Sequence, residues 1–324
     1  MQKIPVHIIT GFLGSGKTTF LNHLIRERHP DERIFVIENE VGACNVDGAL
    51  VLPMANEVVE LTAGCLCCSL NGELYEVLEL VSERRNEYDR LVIETTGVAD
   101  PSSIVQIFLG DPMVERVFNL ENVICLADAT NIEDWLAETD EARRQLVISD
   151  VILLNKADSV TEAYLHETVA ALSGLNPYAE VLTGNQGVFP VDKVLATEQL
   201  RQPGIEAKSE EISQQHDHQI HGVTTFTLTF SEPFNLEMLV HEMYKLVNIY
   251  SHQVYRIKGF VDAKGSPVKV ILQSVRNTLS LEDGSRWPPD EPRQSKIVFI
   301  GKGVKRSSIE RIFKRHLVAS AVAS

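Results

Sequence analysis

Eight residues near the amino terminus, Gly11-Phe12-Leu13-Gly14-Ser15-Gly16-Lys17-Thr18, have the spacing G-x-x-x-x-G-K-T. Glycines so placed let backbone N–H groups converge on phosphate oxygens, and a helix opening behind them adds the positive end of its dipole. In such a loop Gly14, Ser15 and Gly16 form the cradle, Lys17 reaches the β- and γ-phosphates, the Thr18 hydroxyl ligates Mg²⁺ and Thr19 supports the α-phosphate side. A second motif, Asn155-Lys156-Ala157-Asp158, follows the apolar run Val151–Leu154. Asp158 can accept hydrogen bonds from both N1–H and the 2-amino group of guanine; adenine offers no such pair and would leave the carboxylate unsatisfied. Asn155 would brace the loop and the Lys156 stem would lie on the base plane. The pairing of the two motifs favours GTP. A third, Glu94-Thr95-Thr96-Gly97, ends the run Leu91-Val92-Ile93. There Glu94 can hold a Mg²⁺-bound water and the Gly97 N–H can approach the γ-phosphate. Asp128, after Val123–Ala127, is a further acid where ligands of open sheets collect.

The second chemistry is that of sulfur. Gly64-Cys65-Leu66-Cys67-Cys68 puts three thiols within four residues. Soft thiolates suit Zn²⁺ or Cu(I), and tetrahedral zinc needs a fourth ligand from elsewhere. Small buried hydrophobes and a redox dithiol are the competing readings, although adjacent Cys67 and Cys68 would form a strained bridge. Five cysteines is an odd count and gives no disulfide framework. The end of the polar stretch that runs from about Leu200 to Gly222, His216-Asp217-His218-Gln219-Ile220-His221, either picks up a borderline metal through its imidazoles or is simply solvated. Cys125 sits in an apolar run and reads as core.

P-loop, C-x-C-C, E-x-x-G and N-K-x-D in this order, with a His-containing linker and a small tail carrying Arg256-Ile257-Lys258-Gly259 and Phe299-Ile300-Gly301, resemble the CobW-like GTPases over almost the whole chain. The resemblance implies a P-loop GTPase implicated in metal delivery, with Cys65, Cys67 and Cys68 binding zinc or a similar ion near the nucleotide. The family commonly reads N-E-F-G-E where this chain has Asn39-Glu40-Val41-Gly42-Ala43, followed by Cys44. The second acid is therefore missing. Glu38 or Cys44 is the candidate for the remaining metal ligand, with Cys44 equally readable as a small core residue, and Glu40 is read as a switch residue near Mg²⁺ or the attacking water. The catalytic set expected is Lys17, Glu40 and Glu94. GTP, Mg²⁺ and Zn²⁺ are the expected cofactors, with Co²⁺ the alternative cargo and a GTP-gated metal sensor or reservoir the non-enzymatic alternative.

These residues need elements to hold them. The first half alternates short apolar runs with amphipathic stretches, which predicts an α/β domain with a mainly parallel sheet. Strands are expected at Val6–Ile9, Ile34–Ile37, Arg90–Ile93, Asn122–Ala127 and Val151–Leu154, all Val/Ile/Leu-rich without alternation, as in strands covered on both faces. Helices are expected after Thr18 and over Asn71–Tyr88, where Leu74, Val77, Leu78 and Val81 keep helical spacing. Residues 201–222 read as a polar linker between a P-loop domain, 1–200, and a small α+β domain, 223–324. In the latter, strands are expected at Val223–Phe230, Val254–Val261, Val268–Gln273 and Ile297–Ile300, with a helix after the first and a closing basic helix over Ser307–Leu317.

Composition restricts the partners. The 324 residues carry 30 Lys and Arg against 45 Asp and Glu, a net charge of −15. Such a chain is a poor general binder of nucleic acid and is repelled by anionic membrane surfaces. No apolar run approaches the roughly 18 residues of a membrane span, and the strand-to-glycine-loop start leaves no room for a signal peptide. The expectation is a cytoplasmic protein, a monomer or weak homo-oligomer, whose partner is a client metalloprotein. No residue stands out as an arginine finger, so slow intrinsic turnover is expected.

Overall fold

A computed structural model of the chain describes residues 3–28, 32–40, 57–62, 69–196, 218–289 and 292–318. It divides into two compact units, one of Met1–Ala170 with Ala179–Glu198, the other of Ala171–Tyr178 with Gln199–Ser324.

The first unit is built on seven parallel strands: β1 (Ile4–Gly11), β2 (Ile34–Glu40), β3 (Glu57–Thr62), β4 (Arg90–Glu94), β5 (Phe118–Asp128), β6 (Val151–Asn155) and β7 (Glu180–Thr183), in the order β3-β2-β4-β1-β5-β6-β7. The five expected strands are all present. The inner ones are apolar end to end because helices cover both faces: every residue of β6 is buried, and seven of the eight in β1 are. β1 lies at the centre, so its carboxyl end meets those of β4 and β5 where the strand order reverses. Helices α1 (Lys17–Glu27), α2 (Ser69–Glu83), α3 (Ser102–Gly110), α4 (Pro112–Val117), α5 (Ile132–Glu138), α6 (Asp140–Ile148), α7 (Glu162–Leu175) and α8 (Val191–Leu195) connect them. α1 buries Phe20, Leu21, Leu24 and Ile25 at i, i+1, i+4, i+5, the apolar stripe its sequence announces. α2 ends five residues earlier than the spacing suggests, giving way to a 3₁₀ turn at Arg85–Glu87.

The amino-terminal half of the sheet carries a buried polar network. His7, with no exposure, shares its Nδ1 hydrogen with Asn122 Oδ1 at 2.6 Å, and the Asn122 amide is oriented by its own donation to Val194 O at 2.7 Å. His7 Nε2 therefore accepts from Arg90, whose Nε in turn donates to Glu32 at 2.7 Å. Burial raises the Glu32 carboxyl, but Arg28 and Arg90 more than offset it and hold it below the ordinary value.

The second unit is a six-stranded antiparallel sheet ordered β12-β11-β10-β13-β9-β8, from β8 (His218–Ile220), β9 (Val223–Phe230), β10 (Val254–Val261), β11 (Val268–Val275), β12 (Thr278–Arg286) and β13 (Ser295–Lys302). Helices α9 (Leu236–Ile249) and α10 (Arg306–Lys314) pack Leu239, Met243, Ile309 and Phe313 into its core. The Ala263–Ser266 hairpin joins β10 to β11 as expected. Two expectations are corrected. His218–Ile220 pairs with β9 and is a strand rather than linker. The end of α7 belongs with this second unit, where Thr225 Oγ1 donates to Leu175 O at 2.8 Å and Lys258 lies 5.5 Å over the Tyr178 ring.

Candidate functional site

The loop between β1 and α1 has backbone conformations that its glycines make possible. Gly16, the residue capping α1, has φ +100°, and a Cβ there would come 2.5 Å from Asn155 Nδ2. That amide donates to Ser15 O at 2.9 Å, and Asn155 Oδ1 accepts from Gly187 N at 3.1 Å. One side chain, 2% exposed, thus ties the loop after β1 to the segments after β6 and β7. Lys17 is buried, its Nζ donating to Phe12 O at 3.3 Å across the loop. Ser15 is fully buried, and its Oγ has no hydrogen-bond partner among the described residues. A polar cradle with a buried cation and an unsatisfied hydroxyl is suited to a phosphate group.

At the end of β4, Glu94 Oε1 accepts from Thr18 Oγ1 at 2.9 Å, joining the two residues expected around Mg²⁺. A hydroxyl and a carboxylate side by side are the hard oxygen donors that ion takes. Glu38 of β2 is opposite Glu94 in the strand register, and both are buried. Gly97 lies so close to the loop that a Cβ would come 2.6 Å from Leu13 N. Its carbonyl, and that of Ala99, accept from Gln145 Nε2 on α6 at 3.2 and 2.9 Å. Arg144 of the same helix reaches Asp100 Oδ2 at 3.3 Å.

Beyond β6, Lys156 adopts the left-handed φ of +59° and donates to Asp128 Oδ2 at 2.6 Å. Asp128 also accepts from Thr130 N, Thr130 Oγ1 and Asn131 Nδ2. Burial alone would raise its carboxyl, but the Lys156 and Thr130 hydrogen bonds outweigh that and hold it below the ordinary value. Asp128 is thus the group that positions the Lys156 stem. Asp158 lies in a 3₁₀ turn, Ala157–Ser159, with its side chain exposed and its N–H donating to Asn185 Oδ1 at 2.8 Å.

The structure gathers Gly14, Ser15, Gly16, Lys17, Thr18, Thr19, Glu94, Gly97 and Asn155 at one edge of the sheet. Glu40 ends β2 in register with Thr62. The Glu40 side chain, Cys44, Cys65, Cys67, Cys68 and His216 lie outside the described residues. His218 is on β8 and His221 occupies an exposed turn with φ +48°. Among the described residues no three His, Cys, Asp or Glu side chains are grouped to hold a metal, and no helix is long and apolar enough to cross a membrane. Cys125 is core as expected; burial pushes its thiol up to about 12. Gln145, Asn185 and the Gly184–Gly187 turn lie in no motif and were not among the expected site residues. The Gly-Asn-Gln-Gly composition of that turn was the available signal.

A glycine loop seated where the order of a parallel sheet reverses is the arrangement of the P-loop nucleotide-binding proteins. Within that class the chain belongs to the CobW/HypB/UreG family. Residues 5–183 match the model described as CobW/HypB/UreG, nucleotide-binding domain, and residues 223–317 match the cobalamin synthesis protein cobW C-terminal domain. The zinc chaperone YjiA of Escherichia coli (strain K12) is 31% identical over 97% of this chain and 98% of its own length. The zinc-regulated GTPase metalloprotein activator 1 of Dictyostelium discoideum is 28% identical over 94% of this chain and 73% of its own. The crystal structure of Zn(II)-bound YjiA GTPase from E. coli superposes with a TM-score of 0.72 and 26% identity, covering 98% of this chain and all of that one.

Proposed function

We propose that this chain is a GTP-hydrolysing zinc chaperone, which couples turnover of GTP to transfer of zinc to a client protein in the cytoplasm. The observation that carries the reading is the acid pair at the carboxyl edge of the sheet. Glu94 touches the P-loop threonine, and Glu38 stands opposite it on the strand that leads toward Cys44. This register supports a reading in which nucleotide and cargo chemistry share one edge. The names of the full-length relatives, zinc chaperone and zinc-regulated activator, support zinc as the cargo. Residues 1–200 then carry the nucleotide and metal chemistry, and 223–324 a second module.

In this reading the loop amides of Gly14, Ser15 and Gly16 hold the phosphates, Lys17 neutralises the β- and γ-oxygens and Thr19 supports the α-phosphate side. Thr18 and Glu94 hold Mg²⁺, which when bound draws charge from the β- and γ-phosphates. Glu40 orients the attacking water, and Gly97 N–H marks the presence of the γ-phosphate. Asp158 reads guanine, braced by Asn155, while Asp128 keeps the Lys156 stem in place for the base. Cys65, Cys67 and Cys68 take zinc as thiolates with Glu38 as the fourth ligand or Cys44 in its stead. His216, His218 and His221 collect metal more weakly. Hydrolysis releases the order that the γ-phosphate imposes, and metal affinity falls.

Coupling must be reciprocal: GTP changes zinc affinity by the factor by which zinc changes GTP affinity. The test is a zinc titration against a calibrated chelator with GTP·Mg²⁺, with GDP·Mg²⁺ and without nucleotide, on the native chain and on Cys67→Ser. A nucleotide-dependent affinity that collapses in the variant is expected. Affinity indifferent to nucleotide would overturn the coupling and leave a metal store.

A further inference from the structure

Charge is unevenly distributed along this acidic chain. Residues 223–317 contain 15 Lys and Arg against 9 Asp and Glu, a net +6, so the remainder carries −21. Six of those cations, Lys302, Lys305, Arg306, Arg311, Lys314 and Arg315, lie on or beside α10, with a single acid, Glu310, in their span. All six are exposed. The helix turns Ile309 and Phe313 into the core, which at about 100° per residue places Arg311, Lys314 and Arg315 on the opposite arc, with Arg306 in the first turn nearer the core side. Glu310 is engaged by Lys314 at 2.7 Å. The first turn holds no acid and Lys305 makes no side-chain cap, so the positive end of the helix dipole adds to the field.

We propose that this cationic face of α10 is a docking surface for a carboxylate-rich segment of a partner protein. Other polyanions fit it less well. The exposed arc offers no aromatic ring for a base to stack on. A duplex presents one charge per about 1.7 Å along its whole length, whereas the helix is only about 13 Å long and belongs to a chain that otherwise carries −21. A membrane helix needs apolar side chains to insert, and Ile309 and Phe313 are already buried in the core. A short acidic segment matches both the extent and the sign of the patch. Neither nucleotide nor zinc enters the assignment, so it stands or falls apart from the chaperone reading.

The experiment measures binding of three probes to the full-length chain at low and at physiological salt: a labelled ten-residue Glu/Asp peptide, a ten-nucleotide oligothymidine, and phosphatidylserine-containing vesicles. The peptide should bind best and weaken as salt rises. The variant Arg311→Gln/Lys314→Gln/Arg315→Gln should weaken the peptide roughly tenfold, from the summed worth of three exposed ion pairs, with Tm and nucleotide affinity unchanged. Reversal of the same three residues to Glu should abolish binding; if that variant unfolds, the glutamine variant decides alone. Tighter binding of oligothymidine or vesicles, or peptide affinity indifferent to the glutamine variant, overturns the proposal. So does a sedimentation mass that rises with protein concentration at low salt and falls in the glutamine variant, which would give the face to a second copy.

Discussion

Replacing Gln145 with methionine removes two hydrogen bonds while keeping the length of the side chain. Gln145 is 1% exposed, and its amide nitrogen reaches the carbonyls of Gly97 and Ala99 at 3.2 and 2.9 Å. Two such bonds are worth about 1–3 kcal/mol together, and leaving the buried Gly97 carbonyl without its donor costs about 1–3 kcal/mol more. A loss on the order of 2–6 kcal/mol thus falls on the segment from Thr95 to Asp100, which is neither helix nor strand. That segment yields before the core does, and its displacement reaches the phosphate loop directly, because Gly97 has no room to move toward Leu13. In the proposed mechanism GTP but not GDP offers a γ-phosphate to the Gly97 N–H, and a hydrogen bond to a charged group is worth about 1.5–3 kcal/mol. Gln145→Met should therefore weaken a non-hydrolysable GTP analogue roughly tenfold or more while GDP stays within about twofold. Calorimetric titration of both nucleotides, with a urea melt on the same samples, checks this. Equal losses for GDP and the GTP analogue would mean the variant is merely unstable. No loss for either, at an unchanged urea midpoint, would refute the claim that α6 sets the position of Gly97.

Two further outcomes follow from the base-reading side of the site. Asp158→Asn exchanges an acceptor pair for one donor and one acceptor, so GDP affinity should drop on the order of a hundredfold and xanthosine diphosphate should become the better ligand; an unchanged preference in a competition assay would remove Asp158 from base recognition. The native pKa of Asp128 lies below its unfolded value, so the stability it contributes is complete above about pH 4 and is lost as the pH falls through the depressed native value. Asp128→Asn should accordingly lower the urea midpoint at pH 7, converge on the parent in strong acid and bind GDP several-fold more weakly, whereas parallel pH profiles would show that the Lys156 pair is without consequence.

The sequence revealed the inner strands and hid the outer ones. β3 and β7 bound the parallel sheet, and β12 and β8 bound the antiparallel one; none of the four was expected. An inner strand such as Val151–Asn155 is covered on both faces and reads as an unbroken apolar run. β7 is four residues long with no fully buried residue, and β12 ends in Glu-Asp-Gly-Ser-Arg. Edges are kept short and charged to discourage pairing with other chains, which also erases their signature. The motif residues were legible because phosphate and guanine chemistry demand particular residues at close spacing. Gln145 and Asn185 act through ordinary amides on elements far along the chain, and nothing in their local sequence distinguishes them from surface polar residues.

The central place of β1 also fixes when the site comes into being. The phosphate loop hangs on the first strand to be synthesised, yet the strands on either side of it, β4 and β5, begin at Arg90 and Phe118. At about 5–20 residues per second, translation needs roughly 6–23 s after Gly11 to deliver both. Throughout that interval the loop has no sheet to seat it, and Asn155, which ties it to the rest of the site, is later still. The thiol run at Cys65–Cys68 emerges before either flanking strand is complete. A ribosome-bound chain therefore exposes these thiols before the site proposed to govern them can hold a nucleotide.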